Sequence, residues 1–77
     1  MVVSILLVQV FVGKEDIVED NINKLHGVEV TESGNGFLVV STDSESPEDD
    51  YKLIEVISQL ENIFNVSLVM TVDESCI

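Results

Sequence analysis

The segment Val2-Val3-Ser4-Ile5-Leu6-Leu7-Val8-Gln9-Val10-Phe11-Val12 is almost wholly apolar and half β-branched, and it limits the possible folds more than any other feature. Branched side chains are stiff in a helix and pack well on a pleated surface. An apolar run that occupies both parities needs cover on both faces, so the segment is expected as an interior strand. It is too short to span a bilayer, no basic residue precedes it and no small-residue cleavage site follows it, which separates it from an anchor or a secretory signal. Gly13 breaks the run.

The rest of the chain reads in short periodic pieces. From Lys14 to Leu25 the residues Ile17, Val18, Ile22 and Leu25 recur at helical spacing, opposite Glu15, Asp16, Glu19, Asp20 and Asn23. This predicts an amphipathic helix with acids at its favourable N-terminal end, closed by Gly27. Val28 to Glu32 alternates as a half-buried strand does, Ser33-Gly34-Asn35-Gly36 is a turn, and Phe37 to Thr42 forms the second arm of a hairpin and an interior strand. Ser46 can cap a second helix with Pro47 in its first position and Glu48 and Asp49 at the positive end of its dipole. Its inward stripe is Leu53, Ile54, Ile57 and Leu60, flanked by Tyr51 and Val56. Asn62 to Asn65 turns the chain into a last strand, Val66 to Val72.

The element order is βαββαβ, and right-handed crossovers put both helices on one side of the sheet. The expected fold is an α+β, ferredoxin-like sandwich whose four antiparallel strands run in the order 4-1-3-2, with the most apolar strands in the centre. At 77 residues the chain holds one core. The expected domain covers 1–73 and a short polar C-terminal tail covers 74–77.

Three Lys and no Arg face fifteen Asp and Glu, for a net charge of −12. Such a surface repels nucleic acid and anionic membranes alike. It favours a cationic ligand or basic peptide, and it also keeps a small apolar domain soluble. Aliphatic content this high argues against disorder.

Catalytic chemistry is missing. His26 is the sole histidine and lies at a helix end, where imidazole interacts with free carbonyls. Cys76 is the sole cysteine, so neither an internal disulfide nor a multi-cysteine metal site can form, which suits a reducing cytoplasm. The acidic stretch Asp43 to Asp50 lacks the spacing of a calcium loop and reads as helix capping, and Gly34-Asn35-Gly36 lacks the helix and the cation of a phosphate cradle. No enzyme, metal or cofactor is expected. The expected site is the helix-free face of the sheet. If Leu6, Val8 and Val10 pack under the helices, then Ile5, Leu7 and Gln9 face the other way, joined by Phe37, Val39 and Ser41 and by Ser67, Val69 and Thr71. A half-apolar exposed face marks either a partner-binding surface or a homodimer contact.

Four segments in order, Ile5-Leu6-Leu7-Val8-Gln9, Gly27-Val28-Glu29-Val30, Gly36-Phe37-Leu38-Val39-Val40 and Val66-Ser67-Leu68-Val69, together resemble the NapD family, small cytoplasmic chaperones of the periplasmic nitrate reductase. The resemblance spans about residues 4 to 72. It implies a cytoplasmic ferredoxin-like chaperone that binds the twin-arginine signal peptide of the catalytic subunit and delays export until the molybdenum cofactor is inserted. Such a peptide is basic at one end and apolar in the middle, which calls for acids rimming an apolar face, with Glu29 and Asp73 the expected rim. The alternative with the same element order is a dimeric, amino-acid-sensing regulatory module of the ACT or Lrp-effector kind.

Overall fold

The computed structural model of the chain describes residues 1–73; the expected tail 74–77, with Cys76, lies outside the described residues. The elements are β1 (Val2–Val10), α1 (Glu15–Asn23), β2 (Val28–Gly34), β3 (Phe37–Ser44), α2 (Pro47–Ser58) and β4 (Ile63–Asp73). The strands form one antiparallel sheet in the order β2-β3-β1-β4, which is the expected 4-1-3-2 read from the other edge.

Burial along β1 follows its pleat. Val2, Ser4, Leu6, Val8 and Val10 are buried, while Val3, Ile5, Leu7 and Gln9 are half-exposed on the other face. The buried set joins Leu38 and Val40 of β3, Val18 and Ile22 of α1 and Ile57 of α2 in one core, with Leu25, Val28, Val30, Ile54, Leu60, Ile63 and Val66 packed around it. Both helices therefore cover one face of the sheet. Each fully buried aliphatic side chain is worth about 1.5–3 kcal/mol relative to exposure. The expected apolar stripe of α1 is narrower than its spacing suggested, since Ile17 remains 50% exposed.

Local chemistry explains the element ends. β1 stops two residues before the expected Val12 because the chain turns there: Lys14 N–H donates to the Phe11 carbonyl at 3.0 Å and Gly13 takes φ +93°. Ser46 caps α2 as its sequence predicted, with extended backbone and a hydroxyl that accepts from Asp49 N–H, and Pro47 opens the helix. β4 starts at Ile63 rather than Val66, because the reversal is made at Asn62 alone, a left-handed residue with φ +69°.

Extra residues reshape the edge strands, and two of them lie within the sheet. In β4 the register with β1 passes from Leu6↔Leu68 to Ile5↔Met70, so Val69 is a bulge. In β2 it passes from Val30↔Val40 to Glu32↔Val39, so Thr31 is a bulge whose hydroxyl donates to the Val39 carbonyl at 3.2 Å. Each bulge reverses which side chains beyond it face the helices.

Candidate functional site

Cross-strand partners share a face of the sheet, so the pairing defines the helix-free surface. Val3, Ile5, Leu7 and Gln9 of β1 stand opposite Asp43, Ser41, Val39 and Phe37 of β3. On the other side of β1 the partners are Val72, Met70, Ser67 and Asn65. Glu29, Glu32 and Gly34 of β2 complete the face against Ser41, Val39 and Phe37. Phe37 lays its ring over the space where a Cβ at Gly34 would stand, so that glycine is what allows the aromatic ring to lie flat on the edge strand. Asn65 donates to the Gln9 side-chain carbonyl at 3.0 Å and to Ser67 Oγ at 3.1 Å, a polar clasp at one end of an otherwise apolar centre.

Ile5, Leu7, Gln9, Phe37, Val39, Ser41 and Ser67 thus occupy one surface. Val69 is the bulged residue, without a partner on β1 and 64% exposed. Thr71 requires correction. It pairs with Ser4 on the helix side, and their hydroxyls lie 3.1 Å apart. The bulge at Val69 shifts the alternation by one, which puts Met70 and Val72 where Val69 and Thr71 were expected. Asp73 is corrected for the same reason, since it pairs with Val2 and lines a cleft of about 250 Å³ between α2 and β4 rather than the open face. Glu29 does border the open face, and the bulge at Thr31 adds Glu32. Asp43, exposed opposite Val3, is the third carboxylate there.

A second polar feature lies beneath the sheet. Asp50, in the first turn of α2, is only 4% exposed. Its Oδ2 accepts from Ser4 Oγ, and its Oδ1 accepts from Thr42 Oγ1 at 2.5 Å and from Ser44 Oγ at 3.4 Å. No buried side-chain oxygen or nitrogen among the described residues lacks a partner. The capping reading of Asp43 to Asp50 fits Ser46 but misses Asp50. Its signal was present: Ser4, Thr42 and Ser44 all fall on the parity that faces the helices, and buried hydroxyls need an acceptor.

Glu15 anchors the end of the sheet near Phe37. Its carboxylate accepts from Gly13 N–H and from Gly36 N–H, both at 2.7 Å, and so ties the turn after β1 to the hairpin. The Gly36 N–H foremost, then Glu15's own backbone N–H and that of Gly13, hold the carboxyl below its ordinary value of 4.5, against a partial desolvation that works the other way. His26 is exposed and lines a cleft of about 450 Å³ with Asp43 and Glu45. No group of three or more His, Cys, Asp or Glu among the described residues could hold a metal ion. No helix among them is long and apolar enough to cross a membrane.

Fold and face together define a ferredoxin-like domain: a covered core on one side, and on the other an acid-edged sheet face that carries no helix among the described residues. The NapD profile, described as NapD protein, matches residues 1–75, and the chain belongs to the NapD family. The solution structure of the E. coli Tat proofreading chaperone protein NapD superposes with a TM-score of 0.85 at 30% identity, over 94% of this chain and 78% of that one. No curated protein matches. Membership and likeness assign a chaperone role and not an enzymatic one.

Proposed function

We propose that this chain acts in the cytoplasm and binds the twin-arginine signal peptide of a periplasmic nitrate reductase catalytic subunit on its helix-free sheet face, delaying export during maturation. One observation carries the reading. Val3, Ile5, Leu7, Val39, Met70 and Val72 form a continuous apolar strip, and the carboxylates of Glu29, Glu32 and Asp43 border it on the β2 and β3 side. A basic peptide with an apolar stretch matches that pattern in both chemistry and sign. The family and the likeness to a Tat proofreading chaperone support the same partner class.

The test is calorimetric titration with a synthetic twin-arginine peptide. Val39 lies in the strip beside Leu7, so Val39→Asp forces an unpaired charge into an apolar contact at a cost on the order of 2–5 kcal/mol. Binding by the folded variant should fall by at least thirtyfold. Unchanged affinity would show that the peptide docks elsewhere, and a parent chain that ignores the peptide would end the reading.

A further inference from the structure

We propose that the open face is directional: the cationic end of a bound peptide lies over the Asp43 and Glu29 end of the sheet, and its apolar stretch runs along β1 toward Phe37, Phe11 and Phe64. This rests on the peptide-binding reading above and adds to it an orientation and a set of far-end contacts.

The register supplies the polarity. On the open face the carboxylates stand at successive levels of β1: Asp43 opposite Val3, Glu29 across Ser41 from Ile5, and Glu32 across Val39 from Leu7. The next level, that of Gln9, has no charge and carries Phe37, Gly34 and Asn65. Just beyond it the rings of Phe11 and Phe64 pack together with centroids 5.4 Å apart, yet they remain 55% and 59% exposed, and Val12 beside them is 79% exposed. Phe64 is itself an extra residue in β4, between Ile63, which pairs with Val10, and Asn65, which pairs with Gln9. Bulges of this kind re-aim a side chain at the rim of a sheet.

The remaining charges favour the same direction. Lys14 follows the aromatic turn and is exposed. Carboxylates near that end belong to α1 or to the turn before β4 rather than to the sheet face, and the Glu15 carboxylate is already engaged by two backbone N–H groups. An arginine placed there would gain at most a cation–π contact with a phenylalanine ring and no carboxylate of the sheet face. At the opposite end it finds carboxylates, which it can engage in charge-assisted and bidentate hydrogen bonds. From Val3 to Phe11 the strip is about 26 Å long at the usual rise of a strand, enough to separate the two ends of a peptide.

Photo-crosslinking tests the direction. A synthetic peptide of two adjacent arginines followed by an apolar stretch carries a benzophenone either beside the arginines or at the end of the stretch, and crosslinks to the folded chain are mapped by mass spectrometry. The arginine-side label should mark residues 28–30 and 41–45, and the far label Phe11, Phe37 and Phe64. The double variant Phe11→Ser/Phe64→Ser, altered only at exposed rings, should weaken the full peptide about tenfold and leave its salt dependence unchanged. It should weaken a peptide with a shortened apolar stretch less than twofold. Exchanged or evenly mixed crosslinks, with binding intact, overturn the direction alone. Failure of either peptide to bind overturns this proposal together with the reading beneath it.

Discussion

The hydroxyl of Thr42, near the end of β3, donates to Oδ1 of Asp50 in the first turn of α2 at 2.5 Å. With Ser4 and Ser44 converging on the same carboxylate, β1, β3 and α2 meet at one buried polar point. A half-satisfied buried network is worse than none, so each member depends on the others.

The first prediction follows from that dependence. Each buried hydroxyl left without a partner costs about 1–3 kcal/mol, so Asp50→Ala should lower stability by about 3 kcal/mol. Asp50→Asn keeps an acceptor for Thr42 and Ser44 and lets Ser4 turn toward Thr71, so its loss should be about 1 kcal/mol. Urea denaturation of both variants decides this. A midpoint for Asp50→Ala equal to that of the parent would mean the network contributes nothing to stability.

Glu15 predicts a pH dependence with a definite sign. Its carboxyl titrates lower in the folded chain than its ordinary value of 4.5, so the stability it supplies is complete above that value and is lost as pH falls through the folded value. Glu15→Gln should therefore be less stable than the parent at pH 6, and the gap should narrow in acid, as pH falls below 4.5. Denaturation curves above and below that value check it, and a gap that widens in acid would reverse the assignment.

Gly27 and Gly13 both hold positive φ, but only one is crowded. A Cβ on Gly27 would stand 2.8 Å from the Asp43 carbonyl, where Asp43 N–H also donates to Gly27 at 2.8 Å, whereas a Cβ on Gly13 meets nothing within 4 Å. Gly13→Ala should cost about 1 kcal/mol for the backbone conformation alone, and Gly27→Ala about 2–3 kcal/mol because backbone must also move. Thermal melts of the pair test the difference; equal losses would contradict it.

Rim charge should matter less than the apolar strip. Glu29→Gln should weaken twin-arginine peptide binding by about 1 kcal/mol or less, because an exposed pair is well screened. The same screening, over about 10 Å at 0.1 M salt, should make binding moderately weaker as salt rises. Titration across a salt series measures both. A Glu29→Gln loss as large as that of Val39→Asp would mean that charge, and not apolar contact, holds the peptide.

Asp73 and Thr71 show where sequence reading stopped. Alternation along β4 predicts Thr71 on the open face, and alternation fails at a bulge, because whether an extra residue is inserted depends on how β4 settles against β1. Val69 carries no local mark of its role. The same insertion in β2 brought Glu32 onto the open face unannounced.

What the sequence determined by itself was everything that rests on local periodicity and chain connectivity: the order of elements, the parity of β1 and β3, the Ser46 and Pro47 start of α2, and hence the strand order and a helix-free face. Apolar spacing and crossover handedness act within a few residues or by topology, so they can be read without coordinates. Tertiary structure alone decided the register of the edge strands, the burial of Asp50 beneath three hydroxyls and the meeting of Phe11 with Phe64. Those depend on contacts between residues far apart in the chain, whose geometry is fixed only when the strands pair and the helices close over them.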